Sequence, residues 1–90
     1  MNRQRIHEEV VELLCHKLPQ LPLPSEEPLF DYDTQKLVPD VTANELDIAE
    51  IAMDIEDAFG IVLDQQLGSE ELPTIGSISD YIHAQLAERS

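Results

Sequence analysis

Ninety residues with 19 acidic and five basic side chains, a net charge of −14, predict one small domain over residues 1–90. Such a field repels nucleic-acid phosphates and anionic membrane surfaces and favours encounter with basic protein patches. A single cysteine, Cys15, excludes an intramolecular disulfide and a cysteine-based metal cluster, and no apolar run approaches the roughly 18 to 20 residues of a membrane span.

The first helix is expected over about 3–18, because Ile6, Val10, Leu13, Leu14 and Leu18, with Val11 beside them, fall at helical spacing. Pro19 ends it, since the residue before a proline is pushed out of helical geometry. Cys15 sits in the same pattern beside Leu13 and Leu14 and reads as a small core thiol. Glu8, Glu9 and Glu12 interrupt the apolar positions, so this segment does not read as a secretory signal and a cytoplasmic location is the default. Arg3, Arg5 and Lys17 lie here, leaving only Lys36 and Arg89 as cations in the remainder.

Residues 19–41 hold five of the six prolines. Their leucines and Phe30 predict a long ordered loop that packs apolar side chains onto the bundle. The alternative is a partly mobile linker centred on the Leu-Pro repeats of 18–24.

A second helix follows over about 43–59. Thr42-Ala43-Asn44-Glu45 fits a capping box, with Asn44 as the competing N-cap, and Gly60 followed by Ile61 marks the C-terminus. At about 100° per residue, Ile48, Ile51, Ala52, Ile55 and Phe59 share the arc expected to face the core. Asp47, Glu50, Asp54 and Asp57 form an acidic stripe away from it, with no basic partner on the helix. Leu46 and Met53 lie beside that stripe, roughly opposite the core arc, and are expected to be exposed or covered only by the loop. Apolar residues edged by like charges have the form of a docking surface, whereas an ordinary solvated face is the plain alternative.

Ser69-Glu70-Glu71-Leu72 predicts one short helix before Pro73, and Thr74 is placed to cap a last helix over about 75–87 with Ile75, Ile78, Ile82 and Leu86 inward. No long strand alternation, internal repeat, glycine-rich phosphate loop or metal-ligand spacing appears. The expected fold is therefore an all-α bundle of three main helices plus one short helix, with a long first loop.

The stretch LVPDVTANELDIAEIAMDIEDAFGI, residues 37–61, resembles the loop and second helix of acyl carrier proteins. Thr74-Ile75-Gly76 and Asp80-Tyr81-Ile82 are similar to that family's Thr-Val-Gly and Asp-Tyr-Ile near the start of its last helix. In that family an Asp-Ser-Leu-Asp motif opens the second helix, and its serine hydroxyl takes phosphopantetheine from coenzyme A. Here the motif reads Asn44-Glu45-Leu46-Asp47, so Glu45 stands at the serine position and no phosphopantetheine is expected there. The resemblance also implies that the acidic second helix meets basic patches on partner enzymes. Asp47, Glu50, Met53, Glu56 and Asp57 fall on or beside the family's recognition positions, and Asp54 replaces a small apolar residue there. With Leu46, these form the expected partner-binding set.

Of the other hydroxyls, Ser25, Ser69, Ser77 and Ser79 do not open the second helix or precede Leu-Asp, and Thr42 is assigned to capping. Glu45 itself either completes the capping box or imitates part of a phosphate. His7, His16 and His83 are dispersed, and the Glu56-Asp57 pair lacks a histidine partner or metal spacing, so no enzyme, metal or calcium site is expected. The leading expectation is a monomeric, non-enzymatic carrier-like protein that binds a basic partner, such as an enzyme of fatty-acid or polyketide-type metabolism. A true acyl carrier with atypical attachment and an acidic inhibitor or immunity-type protein are the alternatives.

Overall fold

The computed structural model describes residues 2–89; the two terminal residues of the expected 1–90 domain lie outside it, as do the side chains of Pro39 and Arg89. Its three α-helices are α1 (Arg3–Lys17), α2 (Glu45–Phe59) and α3 (Ile75–Arg89), with no strand among the described residues. The all-α bundle is thus present. Helix α1 packs against both α2 and α3.

Helix α1 begins where the Asn2 side chain accepts a hydrogen bond from the Arg5 N–H at 2.8 Å. It ends at Leu18, which is extended before Pro19 while its own N–H still reaches the Leu14 carbonyl. Its buried face is Ile6, Val10, Val11, Leu14 and Cys15. These meet Ile48, Ile51, Ile55 and Phe59 from α2 and Ile75, Ile78 and Ile82 from α3. Removing each large aliphatic side chain from water contributes about 1.5 to 3 kcal/mol, which is the main force closing the bundle.

The long connection between α1 and α2 is tied to that core at two places. Near its start Leu21 is buried, and both the Cys15 thiol and the Tyr32 hydroxyl donate to the Pro22 carbonyl. Burial pushes the Cys15 thiol and the Tyr32 phenol up from their ordinary values, which keeps both groups protonated and able to donate. Near its end the loop runs beside the start of α3, where Gly76 N–H bonds Asp33 O, Ile75 N–H bonds Gln35 O and Leu37 N–H bonds Pro73 O. Two leucines depart from the expected inward packing: Leu23 is 45% exposed and Leu29 97% exposed, both on the turn-rich segment between these anchors.

Two local differences from the sequence expectation follow from backbone hydrogen bonds. Residues Leu37–Val41 form a wide turn closed by the Thr42 N–H on the Leu37 carbonyl at 2.9 Å, with Val38 extended inside it. The short helix expected at 69–72 is absent. There the Gly68 N–H bonds forward to the Leu72 carbonyl at 2.9 Å, opposite in sense to a helical bond, and Leu72 N–H returns to Ser69 O. Gly68 takes φ 83°, and a Cβ on it would lie 2.6 Å from Val38 Cγ2, so the loop folds tightly over Val38 in place of coiling.

Helix α3 opens with a reciprocal cap in which Ser77 N–H donates to Thr74 Oγ1 and Thr74 N–H to Ser77 Oγ. One guanidinium then ties α3 to the rest. Arg3 donates to Asp80 at 2.8 Å, to Asp33 at 2.6 Å and to the Gly76 carbonyl at 3.3 Å. The hydrogen bond from Arg3 holds Asp33 below the usual carboxylate range, and bonding to Asp33 and then Asp80 holds Arg3 more firmly charged.

Candidate functional site

Asn44, not Thr42, is the N-cap of α2: its side chain accepts from the Leu46 N–H at 2.9 Å. The expected Thr42–Glu45 box does not form, because the Thr42 N–H is already engaged by the Leu37–Val41 turn. Thr42 is buried and its hydroxyl oxygen accepts from the Asn44 N–H at 3.1 Å, so it supports the cap from below. Gly60 at φ 65° terminates the helix, with its N–H and that of Ile61 both on the Glu56 carbonyl.

Glu45 is therefore the first residue of α2, exposed, with its side chain at the mouth of two grooves. The larger, about 360 Å³, runs along Ile48, Ala49 and Ala52 against Leu63 and Leu67; the smaller, about 240 Å³, reaches Val38 and Ser69. Ser69 Oγ is shielded from solvent without a hydrogen-bond partner. A carboxylate at this position offers no hydroxyl for a phosphodiester. The other serines do not supply one nearby: Ser77 belongs to the α3 cap, Ser79 is fully buried, and Ser25 is exposed on a turn of the first loop.

Around α2 the partner-binding candidates separate into three strips. Leu46 at 73% and Met53 at 63% exposure form the outward strip, as the helical wheel required, with exposed Asp57 beside them. On one flank, Glu56 is turned inward: its carboxylate accepts from the Leu63 N–H at 3.0 Å and fastens the segment that leaves the helix. On the other flank lie Asp47, Glu50 and Asp54. Asp47 is half-buried near the Thr42 hydroxyl, at 3.5 Å.

The acidic stripe is less free than a wheel of one helix implies. Lys17, from the end of α1, places its ammonium 3.0 Å from Glu50 and 3.7 Å from Asp54. The hydrogen bond to Glu50 raises the Lys17 pKa from its ordinary value. The sequence signal for this pairing is present but weak: Lys17 is the one lysine at the end of α1, and only the crossing of the two helices brings it to α2.

A second cluster, which the sequence pattern does not announce, lies at the α1–α3 seam. His7 Nδ1 is 2.9 Å from Ser79 Oγ and 3.7 Å from Asp33 Oδ1. The three residue types are those of a hydrolytic triad, but the geometry is not. Serine and aspartate face the same ring nitrogen, and the Ser79 hydroxyl is fully buried and donates to the Ile75 carbonyl at 3.1 Å. The cluster joins helices. Among the described residues no group of three or more His, Cys, Asp or Glu side chains is placed to hold a metal ion, and no helix is long and apolar enough to cross a membrane.

Comparison with known proteins gives a likeness consistent with this geometry. The chain is similar to an acyl carrier protein of Thermotoga maritima, 37% identical over 51 residues. The alignment covers 57% of this chain and spans 62% of that protein's length. No family model matches the chain. The resemblance carried by the sequence motifs is thus found again by alignment with a named acyl carrier protein, and the three-helix bundle accords with it.

Proposed function

Starting from an acyl-carrier-like chain, we propose that this protein is a non-enzymatic carrier relative that has lost the phosphopantetheine attachment residue and acts by binding a basic protein partner through α2. The observation that carries this function is the outward strip of Leu46 and Met53 beside Asp47, Glu50, Asp54 and Asp57, on a helix whose first residue is Glu45. A protein that needed only solubility gains nothing from two large apolar side chains left in water along the edge of its acidic stripe. A partner gains apolar burial from them and charge steering from the rim. The partner presents a basic patch and is an enzyme of fatty-acid, polyketide or related acyl metabolism; the protein works as a cytoplasmic monomer, as adaptor, regulator or decoy.

The test combines chemistry and binding. After incubation with coenzyme A and a phosphopantetheinyl transferase, intact mass is expected to be unchanged for the native chain and to rise by one phosphopantetheine for Glu45→Ser. An increment on the native chain overturns the proposal. It would favour a true carrier with atypical attachment, for which exposed Ser25 is the residue to map first. The inhibitor or immunity-type alternative depends on charge alone, so its partner would tolerate Leu46→Ser with Met53→Ser. Docking through the α2 strip requires that pair of substitutions to weaken capture.

A further inference from the structure

The acidic face has a second side that the α2 strip does not use. Between α1 and α2 runs a groove of about 560 Å³, lined by Glu9, Glu12, Leu13, His16, Leu23 and Asp54. Glu9, Leu13 and His16 follow one another along one face of α1, Glu12 beside them, and Asp54 closes the groove from α2. Leu23, from the proline-rich loop, is 45% exposed at its edge. From Glu9 to His16 the helix advances about 10 Å, the length of roughly three extended residues. The lining therefore offers carboxylates near both ends with leucine between them.

The molecule already seats a cation at one end. Lys17 lies one residue beyond His16, and its ammonium is 3.7 Å from Asp54 and 3.0 Å from Glu50. Lys17 thus sits mainly on Glu50, and its contact with Asp54 is a long one. At the other end Glu9 has only a long contact, 3.7 Å, with exposed Arg5, and Glu12 is exposed with no ion pair among the described residues. Asp54 belongs both to this groove and to the stripe on α2, so the groove continues the acidic face around the molecule.

We infer that this α1–α2 groove is a second docking site, and that its occupant is a short basic segment of a partner protein in which lysine or arginine side chains flank a leucine-sized apolar one. Charge complementarity selects the cations, which pair with Glu9, Glu12 and Asp54. Leu13 and Leu23 select the apolar side chain, which replaces water over the exposed part of Leu23. A purely charged segment would meet the same carboxylates but leave that apolar edge wet. The site is separate from the outward Leu46–Met53 strip and does not require it.

The test uses the ¹⁵N-labelled chain and an acetylated, amidated Lys-Leu-Arg-Leu-Lys peptide, with Lys-Ser-Arg-Ser-Lys as its control, at constant ionic strength. Amide shifts are expected to concentrate at Glu9, Glu12, Leu13, His16, Leu23 and Asp54. The serine peptide, and the Leu23→Ser protein, are each expected to bind at least about fivefold more weakly, the loss of part of one leucine's burial. Val62→Ser, at an exposed position outside both surfaces, is expected to leave affinity unchanged. Shifts spread over all carboxylates, or equal binding of the two peptides, overturn the inference by showing charge attraction alone. Weakening by Met53→Ser but not by Leu23→Ser also overturns it, while leaving the outward strip intact as the partner surface. Because Leu23 is half in solvent, its replacement should not unfold the chain, and an unchanged helical circular dichroism spectrum verifies this.

Discussion

Gly76→Ala sets two elementary effects against each other at the start of α3. Alanine is the better helix former by up to about 1 kcal/mol, so helix propensity by itself predicts a gain. The surroundings predict a loss. A Cβ at Gly76 would stand 2.7 Å from the Asp33 carbonyl oxygen, 2.8 Å from Asp33 Oδ1 and 3.2 Å from Asp33 Cα. Two of those atoms are backbone, and the same backbone is held by the Gly76 N–H bond to Asp33 O at 3.0 Å, so rotating a side chain cannot relieve the clash. Forcing a methyl into packed surroundings costs about 1 to 3 kcal/mol, and stretching that hydrogen bond adds about 0.5 to 1.5 kcal/mol. The propensity gain is small at the second residue of a helix, so the net expectation is a destabilisation of about 1 to 3 kcal/mol. Urea unfolding followed by circular dichroism at 222 nm should show a lower midpoint with an unchanged slope, and the thermal midpoint should fall by at least about 4 °C. A Gly76→Ala protein as stable as the parent, or more so, would refute the view that close approach of the first loop, and not local flexibility, is what requires glycine here.

Acid should weaken the same junction. Asp33 is held below its ordinary pKa by Arg3, so its contribution is full above the unfolded carboxylate value of about 3.9 and is lost as pH falls through the lower folded value. Asp33→Asn is therefore expected to lower stability at pH 7 by about 0.5 to 1 kcal/mol, because the pair is half exposed, and to reduce the acid sensitivity of the urea midpoint below about pH 4. Asn44→Ala removes the acceptor of the Leu46 N–H at 2.9 Å and should cost about 1 kcal/mol, read as a lower urea midpoint. If Asn44→Ala is neutral while Thr42→Val is costly, the cap assignment is wrong.

The three helices are legible in the sequence because each carries its own period: Ile48, Ile51, Ile55 and Phe59 lie on one arc of α2, and all four are buried. The exposure of Leu46 and Met53 follows from that arc alone. What the chain does not disclose depends on partners distant in sequence. Arg3 reaches Asp33 and Asp80 across 30 and 77 positions, and Lys17 reaches Glu50 only where α1 crosses α2. A wheel of α2 by itself therefore leaves the acidic stripe unpaired when one edge of it is not. Competition for backbone groups explains the local misses. Thr42 is a plausible cap by composition, but the Leu37–Val41 turn claims its N–H. Ser69–Leu72 has helical composition, yet the bond from Gly68 to Leu72 closes it as a turn. The bond from the Leu63 N–H to the Glu56 carboxylate is likewise a pairing that the sequence does not announce.

The placement of the cations has a wider meaning. Arg3, Arg5 and Lys17 all ride on α1, and each meets carboxylates: Arg3 those of the first loop and α3, Arg5 its own neighbour Glu9, and Lys17 those of α2. Helix α1 also carries Glu8, Glu9 and Glu12, so as a whole it is neutral, and only Arg3 and Lys17, near its two ends, reach the carboxylates of other segments. Beyond it the chain has only Lys36 and Arg89 to offset its acids, so docking of α1 closes the core and relieves repulsion at two places, between Asp33 and Asp80 through Arg3 and between Glu50 and Asp54 through Lys17. What is left uncompensated is the outer acidic surface, and its charge is balanced only by whatever cations the surroundings bring to it.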